Sequence, residues 1–324
     1  MHIHTTHWTA DMSTNSHPPA HRSEHVLVIG ESLIDIVHKG EHSIEVVGGS
    51  PANVALGLGR LGSSPRLLTA LGSDDRGRRI AAQLESSGVT IDPASWSLSR
   101  TSTAAARIDP AGGASYEFDI EWVLREPIQL HAARVAHVGS IAAFLGPGTD
   151  AITAFLETIQ GQALVTFDPN IRPALVGSHA SALARVEHLA TRADVLKLSD
   201  EDARWLWPGA STDEVLDHLL ERGATIAALT LGGDGSIAAT KENRVHVPAP
   251  TVRVVDTVGA GDTFMAAFIH RLIIQPSLLN NPTESELAQA VHFAAVAASI
   301  TVQRSGADLP TSTEVHAALV QSQK

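Results

Sequence analysis

The chain has 324 residues, 44% hydrophobic and 18% charged, with a formal net charge of −12 and no cysteine. Disulfides, thiolate catalysis and cysteine-ligated metals are thereby excluded, and the acidic balance argues against a nucleic-acid partner, which needs clustered Lys and Arg. No apolar run is long enough to span a bilayer and the N-terminus lacks a signal-peptide core, so the expectation is a cytoplasmic small-molecule protein with no membrane partner.

Residues 1–24 are polar, rich in His, Ser, Thr and Pro, and lack any apolar period, which predicts a disordered tail ahead of one folded unit over 25–324. His2, His4 and His7 fit no compact ligand spacing, and Met12 offers an alternative start that leaves 1–11 outside the protein. Structure begins at VLVIG (26–30), and RLLTAL (66–71), VAHVGS (135–140), ALVTFD (163–168), VLKLS (195–199) and TIAALTLG (225–232) predict further strands. Helical periodicity appears near 52–61, 76–87, 149–160, 179–191, 213–222, 262–274 and 284–303. Apolar strands alternating with helices predict an α/β fold with a doubly wound, mostly parallel sheet flanked by helices.

TAAARIDPAGGASYEFDIEW (103–122) breaks that rhythm and predicts two strands joined by a Pro/Gly turn. Strand alternation puts Tyr116, Phe118, Ile120 and Trp122 on one face and Glu117, Asp119 and Glu121 on the other. Such a hairpin belongs to a small appended sheet, as a surface excursion or as a lid.

Two glycine-rich stretches carry chemistry. In DTVGAGDTF (256–264) two glycines stand directly before an apolar helical run. The first amides of a helix have no partner within it and the helix dipole adds positive charge there, so Gly259, Ala260 and Gly261 predict a phosphate cradle. Asp262 stands at its lip, either as a helix cap or as a general base that takes a proton from an attacking hydroxyl. The residues alone leave both open, although a cap does not explain two glycines that cost helix stability. In GGSPANVALGLGRLG (48–62), Pro51 suits the first turn of a helix, and the preceding glycines permit close backbone approach. Asn53 offers a donor and an acceptor, as a sugar hydroxyl pair requires or as a polar residue at a helix start.

Together these stretches resemble the signatures of the ribokinase-like (PfkB) sugar kinase family, and GESLID (30–35) and DPNIR (168–172) sit nearest its fructokinase-like members. Gly48, Gly49, Asn53, Gly62 and Gly72 match the first signature, and Asp256, Thr257, Gly259, Ala260, Gly261 and Asp262 match the second. The resemblance implies a kinase that uses ATP and Mg2+ to phosphorylate a sugar, with Asp262 as base and Gly259, Ala260 and Gly261 around the phosphoryl group. It implies Asp35, Gly48, Gly49, Asn53, Arg107, Phe118 and Arg172 as sugar contacts. Asn170, Lys197, Ser199, Thr230, Gly232 and Gly235 are implied at the nucleotide, together with Gly259 and Gly261. Many members carry Asn-x-x-Glu where this chain has SDED (199–202), so Asp202 takes the place of the glutamate that organises magnesium-bound water. Asp256, Val258, Thr301, Arg304 and Gly306 fall on the loops that hold a monovalent cation, K+, through backbone carbonyls.

The family also implies a β-sheet lid, here from 36–47 and 103–122, whose aromatic face covers the sugar or meets a second subunit's lid in a homodimer. The acidic stripe repels anions, so a neutral sugar is expected, fructose first. The alternatives are 2-keto-3-deoxygluconate, for which Arg107 would serve, ribose or a nucleoside, and outside catalysis a sugar or nucleotide sensor.

Overall fold

A computed structural model describes residues 26–39, 42–108 and 114–322; the tail expected at 1–24 lies outside the described residues. The chain runs β1 (Val26–Ile29), β2 (Leu33–Lys39), β3 (His42–Gly48), α1 (Ser50–Arg60), β4 (Pro65–Leu68), α2 (Asp75–Glu85), β5 (Thr90–Ile91), β6 (Thr103–Ile108) and β7 (Ala114–Asp119). It continues through β8 (Val135–Gly139), α3 (Gly148–Thr158), β9 (Leu164–Asp168), α4 (His179–Ala190), β10 (Val195–Ser199), α5 (Asp200–Leu206) and α6 (Thr212–Glu221). It ends with β11 (Ile226–Thr230), β12 (Ser236–Ala239), β13 (Arg244–Val247), α7 (Ala260–Ile274), α8 (Glu284–Thr301) and α9 (Ser312–Ser322).

The main sheet has the order β13-β12-β11-β10-β9-β8-β1-β4-β5, parallel from β11 to β5, with β12 and β13 added antiparallel. Its central strands are apolar on both faces because helices cover both. Leu27 and Ile29 of β1 pack with α3, α4 and α6, while Val26 and Val28 face α1, α2 and α7. Helix α7 is apolar nearly all round because it lies between α1 and α8, and Phe264, Met265, Phe268 and Ile269 are all buried. No helix among the described residues is long and apolar enough to cross a membrane.

The second sheet has the order β3-β2-β6-β7 and contains the described part of the expected segment 36–47 and, of the segment 103–122, residues 103–108 and 114–119. Its register puts Asp35, Val46, Ala104 and Phe118 in one cross-strand row, so Phe118 shares the face of Asp35. Glu45 on the opposite face accepts bonds from Arg76 and Arg79 of α2, tying this sheet to the body. The expected aromatic face is shorter than the alternation suggested. β7 stops at Asp119, and Trp122 turns into the main core at 1% exposure, where a side chain on Gly148 would meet its indole at 2.4 Å. Burial of a large ring outweighs two further ladder bonds at a sheet edge. The side chains of Tyr116 and Arg107 lie outside the described residues.

Candidate active site

The site lies where β1, β9 and β10 end and α1 and α7 begin. Gly259 precedes α7 with φ 79° and ψ 0°, a left-handed conformation that a β-carbon would strain and push to 2.8 Å from Ala307. The Ala260 amide, expected in the cradle, instead donates to Thr257 O at 3.2 Å to close the turn. The amides left without a partner in the helix are those of Gly261 and Asp262. Behind them, a β-carbon on Gly261 would sit 3.1 Å from Lys197 Nζ, so this glycine brings the backbone against a buried ammonium.

Lys197 is held by Asp168 at 2.9 Å, with side-chain exposures of 4% and 1%. Burial works against both charges, but the carboxylates facing Lys197, Asp168 foremost with Asp202 and Asp262, together outweigh it and hold the ammonium above its ordinary range. Asp168 Oδ1 has no hydrogen-bond partner in the protein. The DPNIR stretch points to Asn170 and Arg172 and does not single out Asp168. Its signal was an acid ending a buried strand at the carboxyl edge of a parallel sheet, where ligands of such folds bind.

Asp262 is 6% exposed and does not serve as a helix cap. Gly259 occupies the cap position and no side chain caps α7. The Asp262 carboxylate instead reaches α1, accepting from Ser50 Oγ on Oδ1 at 2.6 Å and from Asn53 Nδ2 on Oδ2 at 2.8 Å. Asn53 was expected near the sugar; Ser50 was not singled out at all.

Asp35 and the Gly-Gly pair explain each other. A β-carbon on Gly48 would lie 2.0 Å from Asp35 Oδ2, and one on Gly49, at φ 104°, would lie 2.5 Å from Glu31 O. Asp35 is pushed up to about 6 by burial, and the charge of Arg172 pulls the other way. Arg172 is itself exposed and donates to the Asn170 and Ile171 carbonyls. Glu31 is 3% exposed and accepts from the Ala142 amide at 3.0 Å. Its neighbour Ser140 has φ 53° and ψ −151°, a region suited to glycine, and bonds the same carboxyl.

Burial pushes Glu31 up to about 7 from 4.5. A carboxyl raised on folding contributes stability that is complete below its unfolded pKa and lost as pH rises through the folded one, here about 3 kcal/mol between those limits. Glu31→Gln cannot ionise, so its melting temperature relative to wild type is expected to be higher at pH 8 than at pH 5. Parallel thermal melts that keep the same difference at both pH values would rule this out.

Among the residues expected at the nucleotide, Asn170 adopts φ 41°, and Gly232 and Gly235 adopt φ 56° and 96° in the turn between β11 and β12. Ser199 and Thr230 are register neighbours on β10 and β11. Ser199 caps α5, and Asp202 answers it in a capping box. Asp202 Oδ1 also accepts from Ile171 N at 2.8 Å, so both its oxygens are engaged by protein. The loops expected around a monovalent cation do converge: Asp256 accepts from Val258 N at 3.0 Å and Gly306 N at 2.8 Å. Thr301 O is taken by the Arg304 amide at 2.9 Å.

Residues 23–314 match the pfkB family carbohydrate kinases. A fructokinase from Rhizobium leguminosarum bv. trifolii is 32% identical over 278 residues, covering 82% of this chain and 85% of its own. A double mutant of fructokinase from Vibrio cholerae O395, with fructose, ADP and potassium ion bound, superimposes with a TM-score of 0.77 at 25% identity, covering 92% of this chain and 98% of its own. Aminoimidazole riboside kinase from Salmonella enterica, complexed with aminoimidazole riboside and an ATP analogue, gives 0.76 at 26% identity, covering 91% and 99%.

Proposed function

The chain belongs to the pfkB family of carbohydrate kinases, and from that premise we propose that it transfers the γ-phosphoryl group of ATP to a hydroxyl of fructose in the cytoplasm. The observation that carries this is Asp262, buried and held by α1 beside the open amides of α7 with Lys197 behind them. Asp262 takes the hydroxyl proton, the sugar oxygen bonds to phosphorus, and the bond from phosphorus to the ADP oxygen breaks. The Gly261 and Asp262 amides and the Lys197 ammonium face the charge on the transferring group. Asp35, backed by Gly48, receives sugar hydroxyls, with Arg172 beside it.

Mg2+ bound with ATP neutralises phosphate charge. Asp168, which keeps an oxygen without a protein donor, suits that ion better than Asp202 does. The converging loops at Asp256 and Gly306 suit K+. Ile44 and Val46, 58% and 48% exposed, extend the Asp35 face further than one monosaccharide covers, so a second copy's lid is assigned there, and the mass in solution tests it.

Fructose leads because the relatives are fructokinases; Glu117 and Asp119 lie on the face of β7 turned away from Asp35 and so do not bear on the choice. A riboside kinase is the second reading, favoured by the equal likeness to the Salmonella enzyme. Coupled ADP release is expected to give fructose the highest kcat/KM in a panel with ribose, 2-keto-3-deoxygluconate, adenosine and aminoimidazole riboside. A riboside ahead of fructose would move the assignment, and no ADP from any of them would leave a sensor.

A further inference from the structure

We propose that Ser50 is a positioning residue for the base, its hydroxyl fixing the plane of the Asp262 carboxylate so that a lone pair faces the sugar hydroxyl. This rests on Asp262 acting as the base. The terminal torsion of an aspartate is broad, so one bond locates a carboxylate but leaves it free to turn, whereas a donor on each oxygen fixes its plane. Here those donors are Ser50 on Oδ1 and Asn53 on Oδ2, both on the first turn of α1. The 2.6 Å separation from Ser50 is that of a charge-assisted hydrogen bond.

Nothing else accounts for this hydroxyl. Gly49 holds the cap position of α1 with no side-chain cap bond, and Pro51 follows Ser50 directly, so the helix start does not use the serine side chain. Its single proton goes to Asp262, across 212 residues of sequence. The other charged groups acting on this region, Glu31 just after β1, Asp168 at the end of β9 and Lys197 within β10, bond elsewhere.

Ser50→Ala is expected to lower kcat about tenfold with the best panel sugar, the effect of a small misplacement of a reacting group, while KM for sugar and ATP stays within about twofold. In an Asp262→Asn background the same change is expected to alter the residual rate less than about twofold, because the carboxylate it acts through is gone. Should Ser50→Ala fail to fold, Ser50→Gly removes the same hydroxyl without adding bulk and is read identically. A kcat within about twofold of wild type overturns the proposal, as does a raised sugar KM at unchanged kcat, which would make Ser50 a sugar contact. An undiminished penalty in the Asp262→Asn background also overturns it, leaving a structural role. An active Asp262→Asn enzyme removes the base assignment itself, whereas a dead one beside a fully active Ser50→Ala removes only the role of Ser50.

Discussion

Asp262→Asn is expected to lower kcat by about three orders of magnitude, within the range that general-base catalysis contributes. The substitution is close to isosteric and its surroundings can accept it. The new amide oxygen can take the bond from Asn53, and its NH2 can donate to the Ser50 oxygen, which has lone pairs to spare. No buried polar group is orphaned, so the melting temperature should stay within a few degrees of wild type while the proton acceptor is lost. Coupled ADP release at saturating sugar and ATP measures the effect. A variant that turns over at the wild-type rate would mean that the sugar hydroxyl loses its proton elsewhere.

Lys197→Met is expected to produce the largest loss of stability, about 3–5 kcal/mol, because it strands the Asp168 carboxylate in the sheet without its counter-charge. Denaturant midpoints with matched slopes give the value. The deficit should shrink towards acid pH: an unpaired buried carboxyl has a raised folded pKa, and its protonated form is tolerated below that value. kcat should also fall, by about a hundredfold, since the ammonium stands directly behind Gly261. Asp168→Asn added to Lys197→Met separates the two effects by restoring most of the stability and none of the rate. A single variant as stable as wild type would show that the pair is not a fixed ionic contact in the folded protein.

What could be seen in the amino-acid sequence was what repeats locally. The central strands from VLVIG to TIAALTLG and the helix after GAGD announce themselves because a buried parallel strand and a covered helix need apolar residues at nearly every position. Trp122 extends the alternation of β7 without belonging to it, since period alone does not say where a chain leaves a sheet. The hairpin of β12 and β13 escaped notice because its strands have four residues each, with the polar segment TKEN between them. Within the site, Asn53 and Asp262 stood out through their glycines, but their bond to each other joins positions 209 apart. Ser50 bonds Asp262 across 212 residues and nothing beside it in the chain marks it, whereas Asp168 could be seen only from its place at the end of an apolar strand.

The grip of Glu45 on Arg76 and Arg79 has a mechanical result. β3 lies at one margin of the small sheet, so that margin is tied to the body by ionic contacts. At the opposite margin β7, which carries Phe118 on the face of Asp35, has a tie of its own between Arg100 and Asp119. All three arginine ties are partly exposed ionic pairs, so dissolved salt weakens them together and loosens both margins of the small sheet at once.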